Sequence, residues 1–575
     1  MTGTARVTLG SLLGAALAAA AAPFTRSWFS VPSVGVGAIT VNAYPKGWDY
    51  FVIALLVLGA FAGGALATSP LSPPRGERVA EGRVRGSWIL AAIVFLLMLF
   101  LHDHPYAHMD PFHEGEHLTA GWLMKTGERP YGDFFIFHGL ASDAALDALV
   151  LGDPPSPKRP RRLQTFLDAA TIALLVPIAA ELTATSAGLV AAVFASLCAT
   201  AAFWIPVFPY YRLAPVLLAV LGMLRYARSG RASPLFLAFA ASTLGVLWSL
   251  DTGLYALAGT ALTVLVVQKP RMRVLVLAAI ALLLPLLVLL AVRADIAQFF
   301  IDSFVIMPKA IDAVWALPAP APFTSNGVRY FVPPIVYGLL LALALLAWRR
   351  GEKLLAAQIG IVAIFSILLF RTAAGRVSWS HTRFAVPLLG IAFVAFFLEP
   401  LVRRRRWVIA ALVALPLVVY LEVIPNVAAG AKLFAGWRAR QRHEGLVPYP
   451  VAPAKGIYTS PENAIELAAL NGRVESLGPG PILDFSNERA LYYLLQRKPP
   501  VRCMEISMLS VPRLLSEAMA QLEATPPVCV ILGGYPSIST FDGVTNAQRV
   551  PELARWIDAN YPNREQIGRF VVATR

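Results

Sequence analysis

One stretch of the chain concentrates residue types that move protons. It reads His104-Pro-Tyr-Ala-His108-Met-Asp110-Pro-Phe-His113-Glu114-Gly115-Glu116-His117, and further on Gly127-Glu-Arg-Pro-Tyr-Gly-Asp133-Phe-Phe, then His138-Gly139. Asp110, Glu114 and Glu116 crowd one short run, and Asp133 follows a Pro130-Tyr131-Gly132 turn able to return it toward them. Asp110 before Pro111 is a helix start, and Leu118, Trp122 and Leu123 give that helix an apolar face. Asp110 and Glu114 then lie one turn apart at a helix N-terminus, where negative charge is favoured. Carboxylates so placed suit general-base chemistry or the holding of a cation. The plain alternative is a solvated acidic helix capped by Asp110. The same run is also a literal His113-Glu114-Gly115-Glu116-His117, the spacing of a zinc protease, with two imidazoles on one helical face and Glu114 as base. Gly115 weakens that helix, and no third ligand is signalled.

A second group is cationic. Phe370-Arg371-Thr-Ala-Ala-Gly-Arg376-Val-Ser-Trp-Ser-His381-Thr-Arg383 brings Arg371, Arg376, His381 and Arg383 together, and Arg212 follows Pro209-Tyr-Tyr. Snorkelling at helix ends is the bland account. The sharper one is an anion site, because guanidinium forks match phosphate oxygens. Carboxylates in one loop and arginines in others suit a hydroxyl nucleophile meeting a phosphate leaving group.

The elements that must position these groups are membrane helices. Hydrophobic residues are 57% of the chain and charged residues 14%. With about 20 apolar residues needed per crossing, the runs amount to about thirteen spans. They fall near 7–24, 49–68, 87–103, 164–182, 185–204, 213–226, 233–250, 253–268, 274–292, 328–348, 354–371, 384–402 and 407–425. The first, Val7–Phe24, resembles a signal peptide but is read as a retained helix, since another apolar run soon follows. The net charge of +15 sits mostly in short loops, as the positive-inside rule requires, and does not point to nucleic acid. Arg75, Arg78, Arg83 and Arg85, then Arg225, Arg228 and Arg231, then Lys269, Arg271 and Arg273, then Arg349, Arg350 and Lys353, and finally Arg403 to Arg406 all fall inside if the N-terminus does.

Phe134–Leu151 is apolar but carries His138, Asp143 and Asp147, costly at a bilayer centre, so it reads as a helix lying at the outer interface. Loop 104–163 then lies outside, and its basic end (Lys158, Arg159, Arg161 and Arg162) departs from the positive-inside rule. Beyond about residue 427 the apolar runs stop. Ile482–Phe485, Val528–Leu532 and Arg569–Thr574 read as strands; Asn487–Gln496, Val511–Ala524 and Pro551–Tyr561 read as helices, with Ser486 and Ser510 as caps. The fold class is thus an α-helical polytopic membrane domain (1–426, including loop 104–163) followed by a small α/β extracytoplasmic domain (427–575). Cys503 and Cys529, both in the second domain, are candidates for a disulfide; Cys198 lies in an apolar run.

In layout the chain resembles the GT-C superfamily of membrane glycosyltransferases, above all bacterial members related to protein mannosyltransferases and aminoarabinose transferases. The likeness rests on Asp110-Pro-Phe-His-Glu114-Gly-Glu116, Gly127-Glu-Arg-Pro-Tyr-Gly-Asp133-Phe-Phe, His138-Gly139, Arg162-Leu163 and Gly375-Arg376-Val-Ser-Trp-Ser-His381. The familiar adjacent acidic pair is absent. The resemblance implies transfer of a sugar from a polyprenyl-phosphate carrier to a glycan, lipid or protein acceptor at the outer face of a bacterial inner membrane. It implies a base role for Asp110 or Glu114, with Glu116 and Asp133 positioning the acceptor or a cation. Arg212, Arg376, His381 and Arg383 would hold the departing lipid phosphate. Some members need a divalent metal and others do not, and the sequence does not decide. A transporter would show intramembrane charges or an inverted repeat; Asp251 and Asp295 lie near span ends instead. A polysaccharide polymerase or ligase shares the multi-span plan but does not call for the acidic loop.

Overall fold

The computed structural model describes residues 3–29, 46–67, 83–103, 108–204, 209–267, 272–310, 314–437, 443–534, 540–541 and 543–575. His104, Arg75, Arg78, Lys269 and Arg271 lie outside the described residues. Every expected span coincides with helix, because long apolar runs without strand alternation satisfy their backbone internally only as helices. Among the described residues six helices are long and apolar enough to cross a membrane: Arg6–Arg26, Gly47–Leu66, Lys158–Leu182, Val274–Ala291, Ser325–Arg349 and Lys353–Gly375. Trp407–Tyr420 and Val423–Ala435, bent by 53° at their junction, make a seventh if the pair is counted as one span. Ser87–Leu101, Ser186–Ala199, Ala232–Trp248 and Leu250–Leu265 are apolar but shorter. Helices of spanning length are thus fewer than the thirteen crossings expected. The molecule is a multi-pass membrane protein with a mixed α/β C-terminal region.

Polar contacts sort by the two ends of the bundle. At one end Arg228 binds Glu181 (2.7 Å), Gln358 Nε2 donates to the Glu181 carbonyl, and the backbone N–H of Ala184 donates to Glu399. At the other, Arg383 and Arg329 both bind Glu422, Lys46 Nζ donates to the Leu317 carbonyl, and Arg376 donates to the Trp315 carbonyl. These are the segments that the basic loops assign to the inside and the outside respectively.

Phe134–Leu151 holds no helix of spanning length. Only Ala141–Ala145, a π-turn, and Leu146–Val150 are helical, while Phe134 to Phe137 form buried irregular backbone. The helix is thus shorter than expected, because Asp143 accepts the N–H groups of Phe137 (3.0 Å) and His138 (2.6 Å) and holds that backbone in a turn. The basic end of the loop stays with it: Arg161 binds Glu114, and Ser156 Oγ donates to the Lys455 carbonyl.

In the C-terminal region a four-stranded sheet runs in the order Ile482–Asp484, Cys529–Gly533, Phe570–Thr574, Asn563–Ile567. The first pair is parallel and the others antiparallel. Strand Asn563–Ile567 and helix Pro461–Ser476, capped by Ser460, join the elements expected from sequence. The helix expected over Asn487–Gln496 is shorter, Ala490–Leu494, with Arg489 at its cap position, so Ser486 does not cap it; its Oγ accepts the Glu488 N–H in the preceding turn. Ser510 does not cap: its hydroxyl donates to the Ser507 carbonyl, and Val511 occupies the cap position. Cys503 and Cys529 are both free and buried, so the candidate disulfide is not formed. Met109, Leu118, Trp122 and Phe134 of the loop share one hydrophobic core with Tyr449, Leu491 and Tyr492 of the C-terminal region.

Candidate functional site

The loop helix His113–Lys125 begins on Asp110. Asp110 Oδ1 accepts the N–H groups of Phe112 (2.9 Å) and His113 (3.1 Å), and Glu114 Oε2 reaches back to the Asp110 N–H (3.2 Å). The exchange resembles a capping box with its acid one place late. Asp110 Oδ2 also meets His113 Nδ1 at 2.8 Å, and both side chains are about half exposed. Burial opposes the charge on Asp110, but the His113 ring and N–H hold its carboxyl down to about 2. Gly115 faces Ala490, where an added Cβ would lie 2.2 Å from the Ala490 nitrogen, so this turn of helix packs backbone to backbone on the C-terminal domain.

The other acids are more enclosed. Glu114 is gripped by two nitrogens of Arg161, with Nη2 to Oε2 at 2.8 Å. Glu116 Oε2 lies 3.1 Å from Arg489, and His138 Nδ1 lies 3.0 Å from Glu116 Oε1 and 3.5 Å from Asp143 Oδ1. Burial raises the Glu116 carboxyl, but Arg489 first and His138 next hold it well below the usual carboxylate range. Burial and Arg212 work against the charge on His138, yet Glu116 and Asp143 raise it to about 10. His117 pairs with Asp147, which overcomes burial and raises it to about 9. Asp133 stays with its own turn, accepting the Arg129 N–H at 2.7 Å and its guanidinium at 3.1 Å. It joins neither Asp110 nor Glu114 in any of these contacts.

Gly139 lets the segment after His138 pass close to the Leu247–Ser249 backbone, and the Leu250 N–H donates to the His138 carbonyl. Beside that junction Arg212 binds Asp251 (3.0 Å) and Ser249 Oγ (2.9 Å). The charge of Arg212 is felt by both His138 and His381. Burial, then Arg376, then Arg212 push His381 down to about 3, so the ring is neutral and serves as a hydrogen-bonding group. Its Nδ1 lies 2.7 Å from Ser378 Oγ. Of the expected cationic residues, Arg212 and Arg376 thus both act on His381. Arg383 is buried against Glu422 (2.6 Å) and the Ala199 carbonyl.

Glu116, His138 and Asp143 each offer a ligand atom, all within 4.8 Å of one another. Two carboxylates and an imidazole are a fitting donor set for a divalent cation, and the buried Glu116 Oε1 faces His138 outside hydrogen-bond geometry. A cation bound there would displace the proton that His138 now carries. The zinc-protease spacing gains nothing comparable: His113 and His117 turn to Asp110 and Asp147, and Glu114 is held by Arg161. Sequence reasoning named Asp143 and Arg161 for sidedness alone, and passed over Arg489 and Glu505. Arg489 lies 373 positions from Glu116, and no local pattern marks it.

No family model and no curated protein matches the chain. Among solved structures it is similar to ArnT from Cupriavidus metallidurans bound to undecaprenyl phosphate, at 14% identity and a TM-score of 0.44, over 86% of this chain and 98% of that one. The apo state of ArnT from the same organism gives 13% identity and a TM-score of 0.37, over 85% and 98%. The arabinosyltransferase EmbB from Mycobacterium smegmatis gives 18% identity and 0.34, over 71% of this chain and 48% of that one.

Proposed function

We propose that this protein moves a sugar from a polyprenyl-phosphate carrier to an acceptor hydroxyl at the outer face of the membrane. The supporting observation is the link between the acids and the cationic residues: His138, held by Glu116 and Asp143, and His381, beside Arg376, both feel the charge of Arg212. Residues 1–426 form the membrane domain in this reading, and 427–575 an extracytoplasmic domain resting on the loop.

In this reaction the acceptor oxygen attacks the anomeric carbon. The new C–O bond forms as the bond to the phosphate oxygen breaks, and that electron pair leaves with the polyprenyl phosphate. Asp110 is the most exposed of the acids in contact with the loop helix start, and it takes the acceptor proton. A carboxylate held near 2 is a weak base, so it accepts the proton late, as the glycosidic bond forms, and then releases it to water. The guanidinium groups of Arg212 and Arg376 stabilise charge on the leaving phosphate, and neutral His381 adds a hydrogen bond. Glu116 keeps His138 oriented beside Arg212. A divalent cation at Glu116, His138 and Asp143 would supply fixed positive charge.

The test uses purified protein in liposomes with labelled polyprenyl-phosphate-linked hexoses and pentoses and a cell-envelope extract as acceptor. Transfer is expected from at least one carrier, with Arg376→Ala raising the KM for the carrier about tenfold or more. Absence of transfer from every carrier overturns the reading.

A further inference from the structure

Arg489 comes from the C-terminal domain, and its side chain is 1% exposed. Its Nη2 lies 3.1 Å from Glu116 Oε2 and 3.3 Å from the Phe112 carbonyl, and its Nη1 lies 2.6 Å from Glu505 Oε2. The guanidinium carbon sits 4.4 Å from the centre of the Phe112 ring and 5.4 Å from that of Phe137. The backbone around it is tied to the loop helix as well: Thr119 Oγ1 donates to the Arg489 carbonyl at 2.8 Å, and the Ala490 N–H donates to the Pro111 carbonyl at 3.0 Å. Charges alternate along the resulting row, Glu505, Arg489, Glu116, His138, Asp143. In a water-poor interior such a row is held far more firmly than a surface pair, and losing one member leaves its neighbours uncompensated.

We propose that Arg489 is a positioning residue of the transfer site: it fixes Glu116 against His138, making the C-terminal domain part of the reaction centre. The chemistry rests on the transfer reading; the geometry does not. Without the guanidinium, Glu116 loses the contact that holds its Oε2 and is free to turn away from His138. Lysine keeps the charge but cannot span Glu116, Glu505 and the Phe112 carbonyl together, so Arg489→Lys restores only part of the effect.

The experiment compares the full-length parent with Arg489→Gln and Arg489→Lys in two ways. In the liposome transfer assay, Arg489→Gln is expected to lower kcat about tenfold or more with the carrier KM unchanged. Arg489→Lys should bring kcat partly back. The second readout needs no transfer: a double-mutant cycle of melting temperatures with Glu116→Gln, in which Arg489→Gln is expected to cost clearly less in the Glu116→Gln background than in the parent. Additive losses, or a kcat that Arg489→Gln leaves unchanged, overturn the proposal and reduce Arg489 to a docking contact. If the parent transfers no sugar, the transfer reading fails, and the melting comparison still decides the role of Arg489.

Discussion

At the scale of single residues, Asp110 and Glu114 separate charge chemistry from folding. Asn caps a helix about as well as Asp, so Asp110→Asn keeps the N–H bonds of Phe112 and His113 and removes only the charge. Transfer should fall about a hundredfold or more while the melting temperature drops only slightly, through the half-exposed His113 contact that Asn loses. Because the folded-state pKa of Asp110 is about 2, below its ordinary 3.8, its carboxylate is ionised throughout the neutral range. The gap between parent and variant should therefore not change from about pH 5 to about pH 8, as parallel rate profiles will show. Glu114→Gln behaves differently. It removes the carboxylate that Arg161, a side chain only 10% exposed, holds with two nitrogens, at a cost of about 1–3 kcal/mol. Its loss of activity should come with a loss of folded protein, seen as a lower melting temperature in detergent. An Asp110→Asn variant that transfers at the parent rate would remove the base role from this residue.

At the scale of elements, Gly115 shows why part of the site was unreadable. As sequence it argues against a helix, yet the structure places it inside one, against the backbone of Ala490. Alanine there would add about 1 kcal/mol of helix propensity but drive a Cβ into that nitrogen, an overpacking cost of about 1–3 kcal/mol. Gly115→Ala should thus destabilise the protein and expose the 427–575 region to limited proteolysis; unchanged protection would mean that the two surfaces are not in contact. The long apolar helices were legible because hydropathy over one contiguous run is a local property. So were Asp110 as a helix start and the strand Ile482–Asp484. Helix Pro461–Ser476 carries a readable Ser460-Pro461-Glu462 start, but its short apolar positions give a weaker signal than the neighbouring membrane runs. Hydropathy also overextends: the run 185–204 contains a helix that stops at Ala199, about 21 Å long at 1.5 Å per residue against a hydrocarbon core of about 30 Å. The contacts of Arg489 and Arg161 were not legible at all, since partners far apart in sequence leave no spacing to read.

For the whole molecule, the outstanding question is how a basic segment rests on the side where positive charge is disfavoured. Lys158, Arg159, Arg161 and Arg162 follow the loop, and counting Phe134–Leu151 as a span would return them to the inside. The structure removes the conflict by neutralisation and contact. Arg161 is spent on Glu114, and Ser156 meets Lys455 of the C-terminal domain, so loop, basic segment and domain share one side. Arg225 and Arg228 instead gather around Glu181 at the opposite end of the bundle. This arrangement can be tested without background, because all three native cysteines are buried. Cysteine placed at exposed Asp153 should react with a membrane-impermeant maleimide applied to intact spheroplasts, whereas cysteine at exposed Ser229 should react only after the membrane is opened. The reverse pattern would invert the orientation and put Asp110, Arg212 and His381 on the cytoplasmic face. Labelling of both sites from outside would break the odd count of crossings between them: the Arg228–Glu181 pairing makes the number between those two residues even, and helix Lys158–Leu182 adds one.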